Sequence, residues 1–352
     1  MIEPPNLWLD YIDPAFKGRA PHVEVEDGND VFKCEDVSLI QVGSVSGAGR
    51  PSDQLGHAGT YATTMPGAWD PHARIGEIAP DGVEAEVLYP SIALRMFALK
   101  DQDYLLECFK AYNSWMADFV KPYPDRFKGI GLIPNEDLED AVGEMKRAKE
   151  IGLSGVALAL YPGDDRHYDD PMFDPIWQNA QDLNMPVSLH ILTERRPQAR
   201  PDPITNLTNQ VIQADVQTTL SRMILSGVFR RFPGLKVISA ENDVGWAGYF
   251  VERLDYIFER RKNWQPLPIP RDVFPSQYFK QSVYLTFMRD RSGMLVREMV
   301  GIDNIMWSSD YPHLDSTFPK SQEMIEYLTD GLTNEERHKI VAGNVANLFG
   351  FN

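Results

Sequence analysis

Four side chains have the types and the placement for acid–base or metal chemistry: His190, Glu241, Asp310 and His313. In Asn304-Ile305-Met306-Trp307-Ser308-Ser309-Asp310-Tyr311-Pro312-His313 an apolar, β-prone run stops at a carboxylate, and a Tyr-Pro-His turn follows. A barrel strand delivers an acid to the rim of its site in this way. One oxygen of Asp310 can bind a divalent cation while the other takes a proton from water or substrate. The plainer alternative is an Asp that caps the next turn. His190 closes Pro186-Val187-Ser188-Leu189-His190, the equivalent place on another strand, where an imidazole can ligate metal or move protons. Glu241 closes Val237-Ile238-Ser239-Ala240-Glu241 and is a candidate general acid/base or a support for one. Otherwise it pairs with an arginine such as Arg222. His313, three residues beyond Asp310, is a candidate general acid, a substrate contact, or structural.

The loop after His190 carries Arg195, Arg196 and Arg200, which either recognise a substrate carboxylate in bidentate fashion or form solvated surface charge. Tyr161 ends another apolar run and is expected to line the pocket. His22, His57, His72, His167 and His338 have no strand-end placement. Gly43, Gly47 and Gly49 are followed by no Lys-Ser/Thr, and no Gly-x-Ser-x-Gly, Gly-x-Gly-x-x-Gly or His-Glu-x-x-His occurs.

The elements that must position these residues are short apolar runs alternating with amphipathic ones from residue 80 onward. Strands are expected at 85–90, 127–134, 155–161, 186–191, 235–241, 282–287 and 304–310. A helix is expected at 137–151, with Leu138, Ala141, Val142, Met145 and Ala148 on one stripe. Repeated βα units predict a parallel sheet, and polar groups at the strand ends favour a closed barrel over a doubly wound sheet. Such a barrel needs eight strands and seven are evident. Residues 37–42 are one candidate eighth, but they sit in a Pro- and Gly-rich stretch, residues 1–70, read as an arm plus a capping loop. The missing strand is expected before residue 1. One domain is expected over 1–352.

Hydrophobic content of 43%, charged content of 24%, seven Trp, 14 Tyr and 17 Phe suit a soluble enzyme with a large core. A net charge of −17 argues against nucleic acid or anionic membrane as partner. An anionic substrate would need locally concentrated positive charge. Cys34 and Cys108 form no disulfide framework or zinc spacing, no signal peptide opens the chain, and a cytoplasmic location is expected. A homodimer is the default expectation.

Together with Asp81-Gly82-Val83-Glu84-Ala85-Glu86-Val87-Leu88-Tyr89-Pro90, Ala111-Tyr112-Asn113-Ser114-Trp115, Tyr123-Pro124-Asp125-Arg126-Phe127 and Asp170-Pro171-Met172-Phe173-Asp174-Pro175-Ile176-Trp177, these strand-end residues resemble the amidohydrolase-related family over nearly the whole chain. The resemblance implies a distorted (β/α)8 TIM barrel, its first strand missing or atypical. It implies metal ligation by His190 and Asp310, with Asp310 also handling protons. Glu241 stands where many members have a catalytic histidine. An Asp-Ser-His-type ligand pair shortly precedes Glu-Pro-Pro in the most similar subgroup; Glu3-Pro4-Pro5 is present here and the pair is not. Glu3 is an alternative oxygen ligand. The expected function is a metal-dependent hydrolase, with zinc as the metal, of a small carboxylate-bearing substrate, using Asp310, His313 and Glu241. The alternatives are a nonoxidative decarboxylase of a small aromatic or enolic acid, and a metal-free, inactive barrel acting as a binding protein.

Overall fold

All seven expected apolar runs form strands. The computed structural model describes residues 1–351 except 36, 56–58, 194–207, 209 and 210. The arginine loop after Thr193 and His57 therefore lie outside the described residues. The strands are β4 (Glu86–Leu88), β5 (Phe127–Leu132), β6 (Gly155–Ala159), β7 (Val187–His190), β8 (Val237–Ala240), β9 (Val283–Phe287) and β10 (Ile305–Trp307). They lie in one sheet in chain order. Every residue of β6, β7 and β8 is buried, as expected of parallel strands covered on both faces. The fold is α/β with a parallel sheet, consistent with a distorted barrel. Seven of the eight strands expected of such a barrel are present among the described residues.

The chain divides into two compact units: Met1–Ala157 with Ser308–Asp330 and Phe349–Asn352, and Leu158–Trp307 with Gly331–Leu348. The division passes through β6.

In the first unit, residues 37–42 supply no barrel strand. β1 (His22–Glu26), β2 (Asn29–Cys34) and β3 (Val37–Gln41) form a separate antiparallel sheet. Its first turn is Asp27-Gly28, with φ of 48° and 79°, the left-handed pair that a two-residue hairpin requires. β4 and β5 pair in parallel, Glu86 opposite Phe127. The helix Gln102–Val120 packs closely on β5 because two strand positions carry no side chain. A Cβ on Gly129 would meet Met116 Cγ at 2.6 Å, and one on Gly131 would meet Asn113 Oδ1 at 3.1 Å. Asn113 exploits that approach. Its amide donates to Leu132 O at 2.9 Å and accepts from Leu132 N at 2.7 Å, satisfying both backbone groups of the last β5 residue. The expected helix forms as Leu138–Glu150, capped by the Asp137 carboxylate on the amides of Glu139 and Asp140. Its buried stripe is Ala141, Met145 and Ala148.

In the second unit β7, β8, β9 and β10 pair in parallel, with Leu189 opposite Ser239, Ser239 opposite Leu285, and Leu285 opposite Ile305. Asparagine amides secure the last two strands. Asn304 donates to Val283 O at 2.6 Å, and Asn344 donates to Ile305 O at 2.8 Å. The helices Gly245–Arg261 and Arg291–Val300 press together at Gly248, where a Cβ would sit 2.6 Å from Val296 Cγ1.

Candidate active site

In the second unit the strand ends place His190 beside Glu241. His190 is the last residue of β7 and is 5% exposed. Its Nδ1 lies 2.8 Å from Ile191 O. A carbonyl oxygen only accepts, so Nδ1 carries a proton, and in the neutral ring Nε2 is the nitrogen whose lone pair can ligate a metal. That Nε2 lies 3.2 Å from Glu241 Oε2. The loop is held underneath by Thr193, whose hydroxyl donates to His190 O at 2.6 Å and accepts from Leu160 N at 2.7 Å.

Side chains alternate along a strand, and Glu241, one place beyond Ala240, would face away from His190 if the strand simply continued. Its φ of 60° turns the backbone and brings the carboxylate round. Glu241 N donates to Thr286 Oγ1 at 2.8 Å, which fixes the turn. Leu192, after β7, and Asp243 are left-handed too, with φ of 67° and 56°. Non-glycine residues held this way cost energy and cluster where function demands a geometry. Desolvation, then the nearby carboxylates of Asp290 and Glu241, push Asp243 up to about 6. Arg222 does not pair with Glu241: it binds Asp169 through two bonds of 2.7 and 3.0 Å. Tyr161, expected at the pocket wall, is buried and donates to Asp164 Oδ1 at 2.6 Å.

The same device appears in the first unit. Asp310 has φ of 54° just beyond β10. Its Oδ1 lies 3.0 Å from His313 Nδ1, and His313 N donates to Asp310 O at 2.9 Å. His313 Nε2 lies 2.6 Å from Ser91 Oγ, and Ser91 donates its own proton to Met1 O. Both ring nitrogens therefore meet oxygens that accept, so the ring can hold or pass a proton between them. Ser91 is a site residue that the strand-end pattern above does not include. The signal was there: Ser91 follows Tyr89-Pro90 at the end of β4, the same strand-end rule that found His190 and Asp310. Glu3 is not a free oxygen ligand. Buried, it accepts from the amides of Ile92 at 3.0 Å, Ala93 at 2.9 Å and Ser91 at 3.3 Å, and so anchors the Ser91 segment. Burial raises its pKa.

The donor chemistry fits a divalent cation. Two ligands of one such ion, each about 2.0–2.2 Å from it, sit about 3–3.5 Å apart. His190 Nε2 and Glu241 Oε2 have that separation, and the Nδ1–H bond to a backbone carbonyl is the usual support of a ligating histidine.

Residues 70–351 match the family model described as Amidohydrolase. The chain belongs to the amidohydrolase family. This places it among enzymes of that superfamily. It is 28% identical over 288 residues to a gamma-resorcylate decarboxylase of Polaromonas sp. (strain JS666 / ATCC BAA-500), covering 77% of this chain and 84% of that one. It is 25% identical over 292 residues to a 2-amino-3-carboxymuconate-6-semialdehyde decarboxylase of Dictyostelium discoideum, covering 80% and 77%. The crystal structure of a dihydroxybenzoic acid decarboxylase from Polaromonas sp. JS666, with bound manganese and the inhibitor 2-nitroresorcinol, superposes with a TM-score of 0.65 at 24% identity. That likeness, over 79% of this chain and 85% of the other, supports the fold. The hydrolase expectation is thereby corrected. Both relatives are decarboxylases, and the strand-end His and Asp that suggested water activation are equally suited to a carboxylate-bearing substrate and a proton transfer. Among the described residues no helix is long and apolar enough to cross a membrane.

Proposed function

We propose that this member of the amidohydrolase family is a metal-dependent, nonoxidative decarboxylase of a small aromatic or enolic acid. The observation that carries the reading is the similarity to a gamma-resorcylate decarboxylase over most of both chains. His190 and Asp310 are assigned as protein ligands of a divalent metal, manganese or zinc, and residues 1–70 as an arm and cap of the same catalytic domain. The bound metal would neutralise the substrate carboxylate and its neighbouring oxygen. The Nδ1–H bond to Ile191 O orients His190, and Glu241 Oε2, 3.2 Å from Nε2, is placed as a further oxygen donor beside it. Asp310 and His313, 3.0 Å apart, supply the proton. The bond between the carboxyl and its carbon breaks, the electron pair stays on that carbon, and the proton replaces the departing CO2. No oxidant or reductant enters.

The test is CO2 release from a panel of hydroxylated benzoic acids by protein supplied with manganese or zinc. Turnover that EDTA removes and added metal restores is expected. His190→Ala and Asp310→Asn should each lower kcat by about 10²–10⁴, the range a positioned acid–base group contributes. No divalent ion taken up, or full activity in both variants, would overturn the assignment.

A further inference from the structure

Between Asp310 and His313 the chain is clamped, and we infer that Arg74 and Tyr311 form a positioning device for these two residues. The inference rests on the proposed role of Asp310 as a ligand. Arg74 is 2% exposed. Its Nε and Nη2 grip both oxygens of Glu86, at 2.6 and 2.9 Å, and its Nη1 donates to Gly67 O at 3.1 Å. Nη2 also donates to Tyr311 O at 3.2 Å, and the guanidinium carbon stands 4.9 Å from the centre of the Tyr311 ring. Tyr311 OH donates to Glu77, whose other oxygen accepts from Gly67 N at 3.1 Å. The next carbonyl, Pro312 O, accepts from Ala48 N at 3.0 Å.

A bidentate pair with Glu86 uses two of the five N–H donors of Arg74, so the buried guanidinium needs further acceptors. One that it meets is Tyr311 O, which ties the pair to the turn between Asp310 and His313. That carbonyl belongs to the Tyr311–Pro312 peptide, inside the turn that begins at Asp310, the residue held at φ 54°. Releasing it removes a fixed point midway between Asp310 and His313. The turn is then free to shift, moving the Asp310 carboxylate and the His313 ring. A guanidinium can meet three acceptors at once because its five donors are fixed in a plane; an ammonium cannot match that fork. Glu77 and Gly67 complete a frame that holds the Tyr311 ring as well as its carbonyl.

The experiment pairs Arg74→Lys with Tyr311→Phe, the second removing only the hydroxyl bond to Glu77. Manganese Kd is measured on substrate-free protein by titration calorimetry, kcat and KM are measured with the best acid of the panel, and folding is checked by thermal melts without metal. Outer supports of a metal site typically contribute 10–100-fold to affinity or turnover. We therefore expect manganese Kd to rise about tenfold or more in Arg74→Lys and several-fold in Tyr311→Phe, with kcat falling in step and KM within about twofold. If Arg74→Lys fails to fold, Tyr311→Phe decides. Folded Tyr311→Phe with wild-type Kd and kcat overturns the clamp. Wild-type protein that takes up no manganese overturns the functional reading instead, so the two failures are distinct.

Discussion

A hydroxyl 2.6 Å from His313 Nε2 decides how that ring can turn. Asp310 holds the other nitrogen, so the imidazole has a partner at each end and one orientation that serves both. Ser91→Ala removes one end. The expected result is a loss of about tenfold or more in kcat with KM little changed, checked by steady-state kinetics of CO2 release. Sulfur substitution by Ser91→Cys, with its weaker hydrogen bonds, should fall between the two. At this scale His190, Glu241, Asp310 and His313 were legible because a polar residue that ends an apolar run is conspicuous. Ser91 carries the same strand-end signal in weaker form, because a serine after Tyr-Pro also reads as an ordinary turn residue. The partnerships were illegible for a different reason: Glu241 meets His190 only through a left-handed backbone that strand alternation does not foretell.

At the scale of elements, the parallel strands were readable because both their faces are buried and their runs are continuously apolar. Their C-terminal ends fall up to three residues short of the expected ones, because the rim segments keep strand-like composition after pairing stops. Residues 37–42, one candidate for the eighth strand, pair instead with β2; the Asp27-Gly28 turn marks the β1–β2 hairpin alone and carries no signal for the third strand. One short helix, Asn334–His338, offers a pH test. Glu336 accepts from Thr333 N at 2.9 Å, from Arg297 Nε at 2.8 Å and from Thr333 Oγ1 at 3.0 Å. These bonds, the Thr333 amide foremost, bring it down to about 2. A carboxyl lowered on folding stabilises the fold above its unfolded value near 4.5 and loses that contribution as pH falls toward 2. Melting temperatures of wild type and Glu336→Gln should therefore differ at pH 6 and converge between about pH 4.5 and 2. A difference that persists unchanged at pH 2 would show that the charge is not what matters.

Across the whole molecule the dominant fact is 51 acidic against 34 basic residues, a net −17. The carboxylate substrate proposed above would approach against that field and be captured only at the short range where a local cation prevails. Salt screens the far field more than the near one. The kcat/KM for an acid substrate should therefore rise as ionic strength goes from about 0.01 to 0.15 M, while inhibition by the corresponding uncharged phenol stays flat. Falling kcat/KM over that range would mean that attraction, not repulsion, governs the encounter.

The left-handed residues carry a lesson for anyone who would engineer this protein for heat tolerance. Of the seven non-glycine residues with positive φ among the described residues, four follow strands β7, β8 and β10: Leu192, Glu241, Asp243 and Asp310, each a nominal target for glycine, which relieves the conformational penalty. Three of those four are carboxylates whose direction depends on that penalty being tolerated. Leu192, with no polar group to aim, is the member of the four where the relief can be taken without dismantling what the backbone is bent to present.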